Sequence, residues 1–255
     1  MKNITFIGAG NVATILSYEL KQKGYNIVEI WSNTEKSAKT LANKLSCDYT
    51  TKLDNLKICD LFIVSVKDEY VHEVIKSIPK LKIPIVHTSG SVGIEVFSNK
   101  KNFGVFYPLQ TFTKDVNIDL NNIPICIEAN NKILEKKLVK IAKSISSNIH
   151  LIDSIQRSKI HVAAVISCNF SNHMLSIAEH LMSKNNLDFN LLKPLIEQTF
   201  KKVLIKSPKK VQTGPAIRND YQTIEKHIDF LSDEENISEI YKIISNNIMS
   251  LNNNE

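Results

Sequence analysis

The sequence predicts an α/β protein of two domains: a doubly wound, mostly parallel sheet over residues 1–152, then an all-helical domain over 153–255. Three observations carry this. An apolar strand at the start runs through a glycine turn into a helix, strand-like and helical runs then alternate as far as residue 152, and past Asp153 the strand signals stop.

The glycine turn is the most informative stretch. Ile4-Thr5-Phe6-Ile7 reads as a buried strand, Gly8-Ala9-Gly10-Asn11-Val12-Ala13 has the spacing G-x-G-x-x-A, and Ile15, Leu16 and Leu20 open a helical pattern. The first glycine permits a tight turn, the second lets backbone approach a pyrophosphate, and a small Ala13 lets helix and strand pack closely. Amides near Asn11 and Val12 then face phosphates along the positive end of the helix dipole. Such a turn can also merely join strand to helix; its place between a clean strand and a clean helix favours the Rossmann-type nucleotide site.

The later elements extend the same pattern. Residues 26–31 form the second strand, and Thr34 is a plausible N-cap of the next helix with Glu35 in its first turn. An NAD site usually ends this strand with an acid for the ribose hydroxyls, whereas here Trp31 is followed by Ser32, Asn33, Thr34, Glu35 and Lys36. Ser32, Asn33, Thr34 and Lys36 suit a 2′-phosphate, which favours NADP over NAD; as turn and cap residues they would also serve the loop alone. The near-continuous apolar run 60–66 marks a central strand covered on both faces, followed by a helix over 69–77 and a short strand over 83–86. Ligands of open α/β sheets bind at the carboxyl ends of the strands, so Ser65, Val66, Lys67, His87 and Ser89 are expected to border the cofactor. Strands over 103–107, 123–128 and 148–152, with a helix over 132–144, complete the sheet.

Four helices are expected beyond it, over 154–184, 190–207, 221–231 and 237–251. The first is long and apolar on most faces, with Arg157, His161, Cys168 and Asn172 within about 60° of one polar stripe at about 100° per residue. More apolar faces than a small domain can cover predict a homodimer through these helices.

Composition narrows the function classes. With 43% hydrophobic residues the chain can bury a sizeable core. The net charge of +6 comes from dispersed Lys with two arginines and no basic stripe interleaved with aromatics, so nucleic acid is not expected as a partner, and no apolar run approaches about 18 residues, so neither is a membrane. Cys47, Cys59, Cys126 and Cys168 show no C-x-x-C spacing, which predicts reduced thiols and no metal site. Met1-Lys2-Asn3 leads straight into the first strand with no leader pattern, so a cytoplasmic location is expected.

Four further motifs, in order, carry a resemblance: His87-Thr88-Ser89-Gly90-Ser91; Phe106-Tyr107-Pro108-Leu109-Gln110-Thr111-Phe112; Arg157 through Val165 with Asn169-Phe170; and Gly214-Pro215-Ala216-Ile217-Arg218-Asn219-Asp220. Together they resemble the family of Rossmann-like proteins carrying a DUF2520 domain, over nearly the whole chain. More distantly, the layout is similar to pyrroline-5-carboxylate reductase, ketopantoate reductase, 3-hydroxyisobutyrate dehydrogenase and prephenate dehydrogenase. The resemblance implies a Rossmann domain with an all-helical second domain, often shared between two subunits, and NAD(P)-linked chemistry. It implies no substrate. Family members often have Arg in place of Asn33, and prephenate dehydrogenases have His in place of Tyr107, so a His-based mechanism at position 107 does not transfer.

Hydride transfer needs a proton donor and a group that neutralises substrate charge. His161 is the leading donor, its ordinary pKa lying near working pH, although a lone buried His is often structural. Arg157 and Arg218 suit bidentate capture of a carboxylate, and Gln110, Asn169 and Asn172 are amides able to orient a substrate oxygen. Asp220 is equally a site residue or a helix cap, and His87 and Ser89 equally shape their loop. The reading is an NADP-dependent oxidoreductase acting on a small anionic carbonyl or imine compound; the alternative is a non-catalytic NADP-binding sensor or scaffold, which would not need a polar stripe in an otherwise apolar helix.

Overall fold

We describe the protein from a computed structural model, over residues 1–79, 82–98, 100–114 and 118–253. It folds as two compact units, Met1–Asn169 and Phe170–Glu255.

The first unit is built on eight strands: β1 (Asn3–Ile7), β2 (Asn26–Trp31), β3 (Asp48–Thr50), β4 (Leu61–Val64), β5 (Ile85–His87), β6 (Phe103–Pro108), β7 (Ile125–Ala129) and β8 (Ile149–Leu151). Their order is β3-β2-β1-β4-β5-β6-β7-β8, and β6 with β7 is the antiparallel pair. The order reverses between β1 and β4, the switch point at which such sheets bind ligands. Helices α1 (Asn11–Gln22), α2 (Glu35–Leu45), α3 (Asp68–Ser77) and α4 (Lys132–Lys143) cover its faces. β4 shows why: all four residues are buried, Leu61 and Ile63 in a core with Leu16, Leu41 and Leu138, Phe62 and Val64 in a second core with Val71, Val74 and Phe97. Successive side chains point to opposite faces, so a strand apolar throughout needs helices on both.

These elements follow the sequence pattern closely. β3 is the addition, a three-residue edge strand of polar Asp48-Tyr49-Thr50 without an apolar run to announce it. Helix α5 (Ser154–Ala164), expected with the second domain, packs with the first unit, which ends at Asn169 rather than at residue 152. It starts as a capping box in which Asp153 accepts from the Gln156 amide and the Gln156 side chain accepts from the Asp153 amide.

The expected single helix over 154–184 is interrupted. After α5, Val165–Phe170 is π-helical, and α6 (Ser171–Lys184) follows. A π turn holds more residues than an α turn, so counting about 100° per residue loses its phase there. The stripe that joined Asn172 to Arg157 and His161 therefore does not carry past Ala164.

The second unit contains α6, α7 (Lys193–Ile205), α8 (Tyr221–Phe230) and α9 (Glu235–Asn253), with short 3-10 turns between α6 and α7 and between α7 and α8. α6, α9 and the turn at Gly214 and Pro215 enclose an apolar cavity of about 320 Å³ lined by Met174, Ile177, Ile240 and Ile244 among others. Among the described residues no helix is long and apolar enough to cross a membrane, and no cluster of three or more His, Cys, Asp or Glu could hold a metal ion.

Candidate active site

The glycine turn has the geometry its spacing predicts. Gly8 has φ +128°, and a Cβ there would lie 2.2 Å from the Ser65 carbonyl oxygen at the end of β4. Only glycine fits between the two strand ends. Gly10 is the N-cap of α1; no side chain caps the helix by a hydrogen bond there, and among the described residues nothing stands within 4 Å of where a Gly10 Cβ would be. That space and those amides fit a pyrophosphate. The connection after β6 reaches this turn: the Asn11 side chain donates to the Phe112 carbonyl at 2.8 Å, and Lys114 Nζ donates to the Ala9 carbonyl at 3.0 Å.

At the end of β2, Asn33, Thr34 and Lys36 are exposed and Ser32 is half-buried. Thr34 does not cap α2 through its side chain; its hydroxyl donates to Ser37 Oγ. β2 does hold an acid, Glu29, but it is buried two residues before the strand end and accepts from the Lys57 amide, with burial pushing its carboxyl up. Beyond β4, Ser65 accepts from the Thr88 hydroxyl at 3.0 Å, Val66 is half-buried, and Lys67 is exposed.

The loop after β5 is tightly organised. His87 is buried, stacks on Phe97 with ring centroids 5.4 Å apart, and its Nδ1 accepts from the Ser89 amide at 3.2 Å. Burial first, then the nearby Arg157 guanidinium, pushes its pKa down to about 3, so His87 is neutral. Ser89 Oγ accepts from the amides of Ser91 and Val92. Both residues shape the loop.

Arg157 does so too, from α5. Its side chain is 1% exposed; one terminal nitrogen donates to Glu128 at 2.5 Å, the other to the Val92 carbonyl at 2.6 Å and to Ser154 Oγ at 3.1 Å. Ser154 in turn donates to Glu128 and accepts from the Ile94 amide. Both terminal nitrogens are thus committed to the protein, while the buried Nε has no hydrogen-bond partner among the described residues, and Arg157 joins β7, the loop after β5 and α5 in one knot. The expected substrate clamp is instead the post that sets α5 against that loop.

One helical turn later stands His161. Its Nδ1 lies 3.1 Å from the Tyr107 hydroxyl, and the two rings meet edge to face at 6.0 Å. Gly90 closes the third side: a Cβ there would lie 2.5 Å from His161 Nδ1 and 2.8 Å from Tyr107 Cζ. Sequence reasoning missed Tyr107 and Gly90 as a pair with His161, although both lay in quoted motifs at the carboxyl ends of β6 and β5, where ligands bind. Lys114 and Glu128 were missed as well; Lys114 lies in a loop without a motif, and Glu128 looked like one more strand residue.

Gln110 is exposed and its carbonyl oxygen accepts from its neighbour Thr111; Asn169 is exposed at the end of the first unit. In the second unit Asn172 and Arg218 are exposed, and Asp220 caps α8 by accepting from the Thr223 amide and hydroxyl, which hold its carboxyl below the usual range. Asp220 therefore takes the capping role of its two readings.

Comparison with known proteins agrees with this layout. The family described as "Domain of unknown function (DUF2520)" matches residues 123–248, and that described as "NADP oxidoreductase coenzyme F420-dependent" matches residues 3–86. A Bacteroides fragilis protein assigned as an NADP oxidoreductase is 40% identical, with 98% of each chain covered and a TM-score of 0.91. The fold is also similar to that of pyrroline-5-carboxylate reductase from Streptococcus pyogenes, at 15% identity over 97% of this chain and 98% of the other with a TM-score of 0.62. An imine reductase from Myxococcus stipitatus in complex with NADP+ shows 15% identity over 99% and 93% of the chains, with a TM-score of 0.64. No curated protein matches the sequence.

Proposed function

The chain belongs to the family of Rossmann-like proteins with a DUF2520 domain and is a nicotinamide-dependent oxidoreductase, and on that premise we propose that it uses NADP to reduce or oxidise a small anionic carbonyl or imine compound. The observation that carries the reading is the half-buried His161, held at the carboxyl ends of β5 and β6 against Gly90.

The residues present suit the cofactor. Gly8, Gly10 and the first turn of α1, with Ala9, Asn11 and Val12, would hold the pyrophosphate, with Lys114 Nζ at the same turn. Ser32, Asn33, Thr34 and Lys36 would hold the 2′-phosphate; no acid stands at the end of β2 to repel it. When bound, the nicotinamide supplies or accepts the hydride. His161 then gives a proton to, or takes one from, the substrate oxygen or nitrogen. The imine reductase and pyrroline-5-carboxylate reductase likenesses support the substrate class as analogy of fold.

The partner is a second copy, bound through the helices of the second unit, whose apolar side chains stand largely exposed in one chain. The compartment is the cytoplasm, in keeping with four free thiols. The test is NADPH consumption with a panel of 2-oxo acids and carboxylated cyclic imines, using wild type and His161→Gln. Turnover in the variant falls by about 10² with NADPH affinity retained. Normal turnover in a less stable variant would return His161 to the core.

A further inference from the structure

The motif that begins at Phe106 runs on past Tyr107 into Pro108-Leu109-Gln110-Thr111-Phe112, and the chain it opens returns to the glycine turn. Pro108 ends β6, and the Leu109 amide donates to the Pro124 carbonyl at 2.8 Å, which fixes where the chain leaves the sheet. The Gln110 side-chain oxygen then accepts from the Thr111 amide at 2.8 Å and the Thr111 hydroxyl at 3.3 Å, a local pair of bonds that stiffens the next step. Phe112 packs half-buried against the core that holds Leu16 and Leu138.

Two ties reach the glycine turn from there. The Phe112 carbonyl accepts from Asn11 Nδ2 at 2.8 Å, and the Ala9 carbonyl accepts from Lys114 Nζ at 3.0 Å. A carbonyl oxygen can only accept, so the direction of both bonds is fixed. Ala9 and Asn11 stand on either side of Gly10, and Phe112 and Lys114 on either side of Thr113, so the segment crosses the turn at Gly10. It crosses without filling the space: among the described residues nothing lies within 4 Å of a Gly10 Cβ position.

We propose that residues 109–114 form a strap across the dinucleotide site, with the Asn11–Phe112 bond as its latch, so that NADPH enters and leaves when the latch is open. This rests on the dinucleotide reading of the glycine turn. The Asn11 side chain is taken up by the latch, which leaves the backbone amides at the start of α1 for phosphate. Lys114 serves both strap and anion, because an ammonium has three donors and one of them is spent on Ala9. A single hydrogen bond between neutral groups has a small net worth, so such a latch opens readily.

The latch joins two groups of the protein and no atom of the nucleotide. For a strap that is closed most of the time, losing the latch favours the open form by the same factor with cofactor bound or absent. Entry and exit then speed up together and affinity stays nearly as it was, whereas loss of a side chain that touched the nucleotide weakens affinity.

Stopped-flow mixing of NADPH with the full-length protein, followed by the nucleotide's fluorescence, measures entry, and displacement by excess NADP+ measures exit. In Asn11→Ala both rates are expected to rise about fivefold, the scale of one hydrogen bond, with the dissociation constant nearly unchanged. NADH shows the same gain, since it shares the pyrophosphate. Phe112→Ala, which frees the strap from the core and leaves Asn11 in place, also speeds both steps and serves if Asn11→Ala fails to fold. Amide exchange of the cofactor-free protein reads the opening directly, with residues 109–114 exchanging about fivefold faster in Asn11→Ala. Rates and exchange unmoved in the folded variants overturn the strap, as does weaker affinity in Asn11→Ala with entry unchanged, which puts the Asn11 side chain on the nucleotide. Failure of the wild type to bind either nucleotide sinks the dinucleotide reading and the strap with it; binding with rates indifferent to the latch sinks the strap alone.

Discussion

The two units distribute their apolar residues in opposite ways. In the first, strands and helices bury theirs in two continuous cores, one on each face of the sheet. In the second, Ala216, Ile224 and Leu231 are buried, while Leu204 and Ile205 on α7 are 85% and 81% exposed and Phe170, Leu191, Phe230 and Ile243 are exposed too. The first unit satisfies its own hydrophobic requirement, whereas the second leaves large apolar side chains exposed. The proposed dimer rests on those exposed side chains.

The largest expected effect probes where the first unit ends. Because Arg157 holds α5 to β7, Arg157→Ala leaves Glu128 partly buried and unpaired and lowers stability by about 3–5 kcal/mol, a fall in Tm on the order of 10 °C. Replacing both partners, Arg157→Met with Glu128→Leu, restores most of it. If Arg157→Ala melts like the wild type but binds substrate poorly, the arginine belongs to the substrate after all, and α5 is not anchored as described.

Next comes the second unit. Leu204→Glu with Ile205→Glu places two charges on its most exposed apolar stretch. Sedimentation is expected to show a wild-type dimer, weakened by about a hundredfold in the variant, an effect on the scale of one interface hot spot of about 3 kcal/mol. NADPH binding, which the proposed function puts on the first unit, is expected to stay as it was. A wild type that sediments as a monomer at micromolar concentration breaks the comparison.

A third measurement uses His87 inside the first unit's core. Its pKa is about 3 in the fold against an ordinary 6.5, so between those values the unfolded chain carries a proton that the folded chain does not. Stability therefore rises with pH and is lost as pH falls from 6.5 toward 3, by about 1.4 kcal/mol per pH unit for one proton. Denaturant unfolding across that window should show a shallower slope in His87→Gln than in the wild type. Equal slopes mean that His87 becomes charged in the fold.

How much of this was legible in the sequence depends on the range of the contact. The glycine turn, the alternation of strands and helices and the buried run of β4 are local patterns, and the sheet follows them. β3 escaped because three polar residues at an edge bury nothing. The stripe through Asn172 failed because a uniform helical period says nothing of a π turn at Val165–Phe170. Arg157 was read as a free anion clamp because its partner Glu128 lies on another element; only packing shows that the charge is already matched. Tyr107 was visible as a departure from a related pattern, yet its meaning lies in the hydrogen bond to His161, which no spacing encodes.

The smallest expected effect separates two lysines of the first unit. Lys36 follows the end of β2, whereas Lys114 Nζ reaches the Ala9 carbonyl in the glycine turn. NADPH and NADH share the pyrophosphate and differ in the 2′-phosphate. Each charge-assisted contact is worth about 1.5 kcal/mol, roughly tenfold in affinity. Lys36→Gln should accordingly weaken NADPH about tenfold and leave NADH unchanged, while Lys114→Gln should weaken both by a similar factor. Both losses should shrink in high salt, since these side chains face solvent. Lys114 carries a further consequence. A cation beside the positive end of α1 is unfavourable until an anion arrives, so Lys114→Gln should leave the cofactor-free protein as stable as the wild type, or slightly more so, and reduce only the stabilisation that NADPH adds. Calorimetric titration and thermal melting with and without each nucleotide measure all of this. An equal loss of NADH and NADPH in Lys36→Gln would remove that residue from the 2′-phosphate, and with it the main support for NADP over NAD.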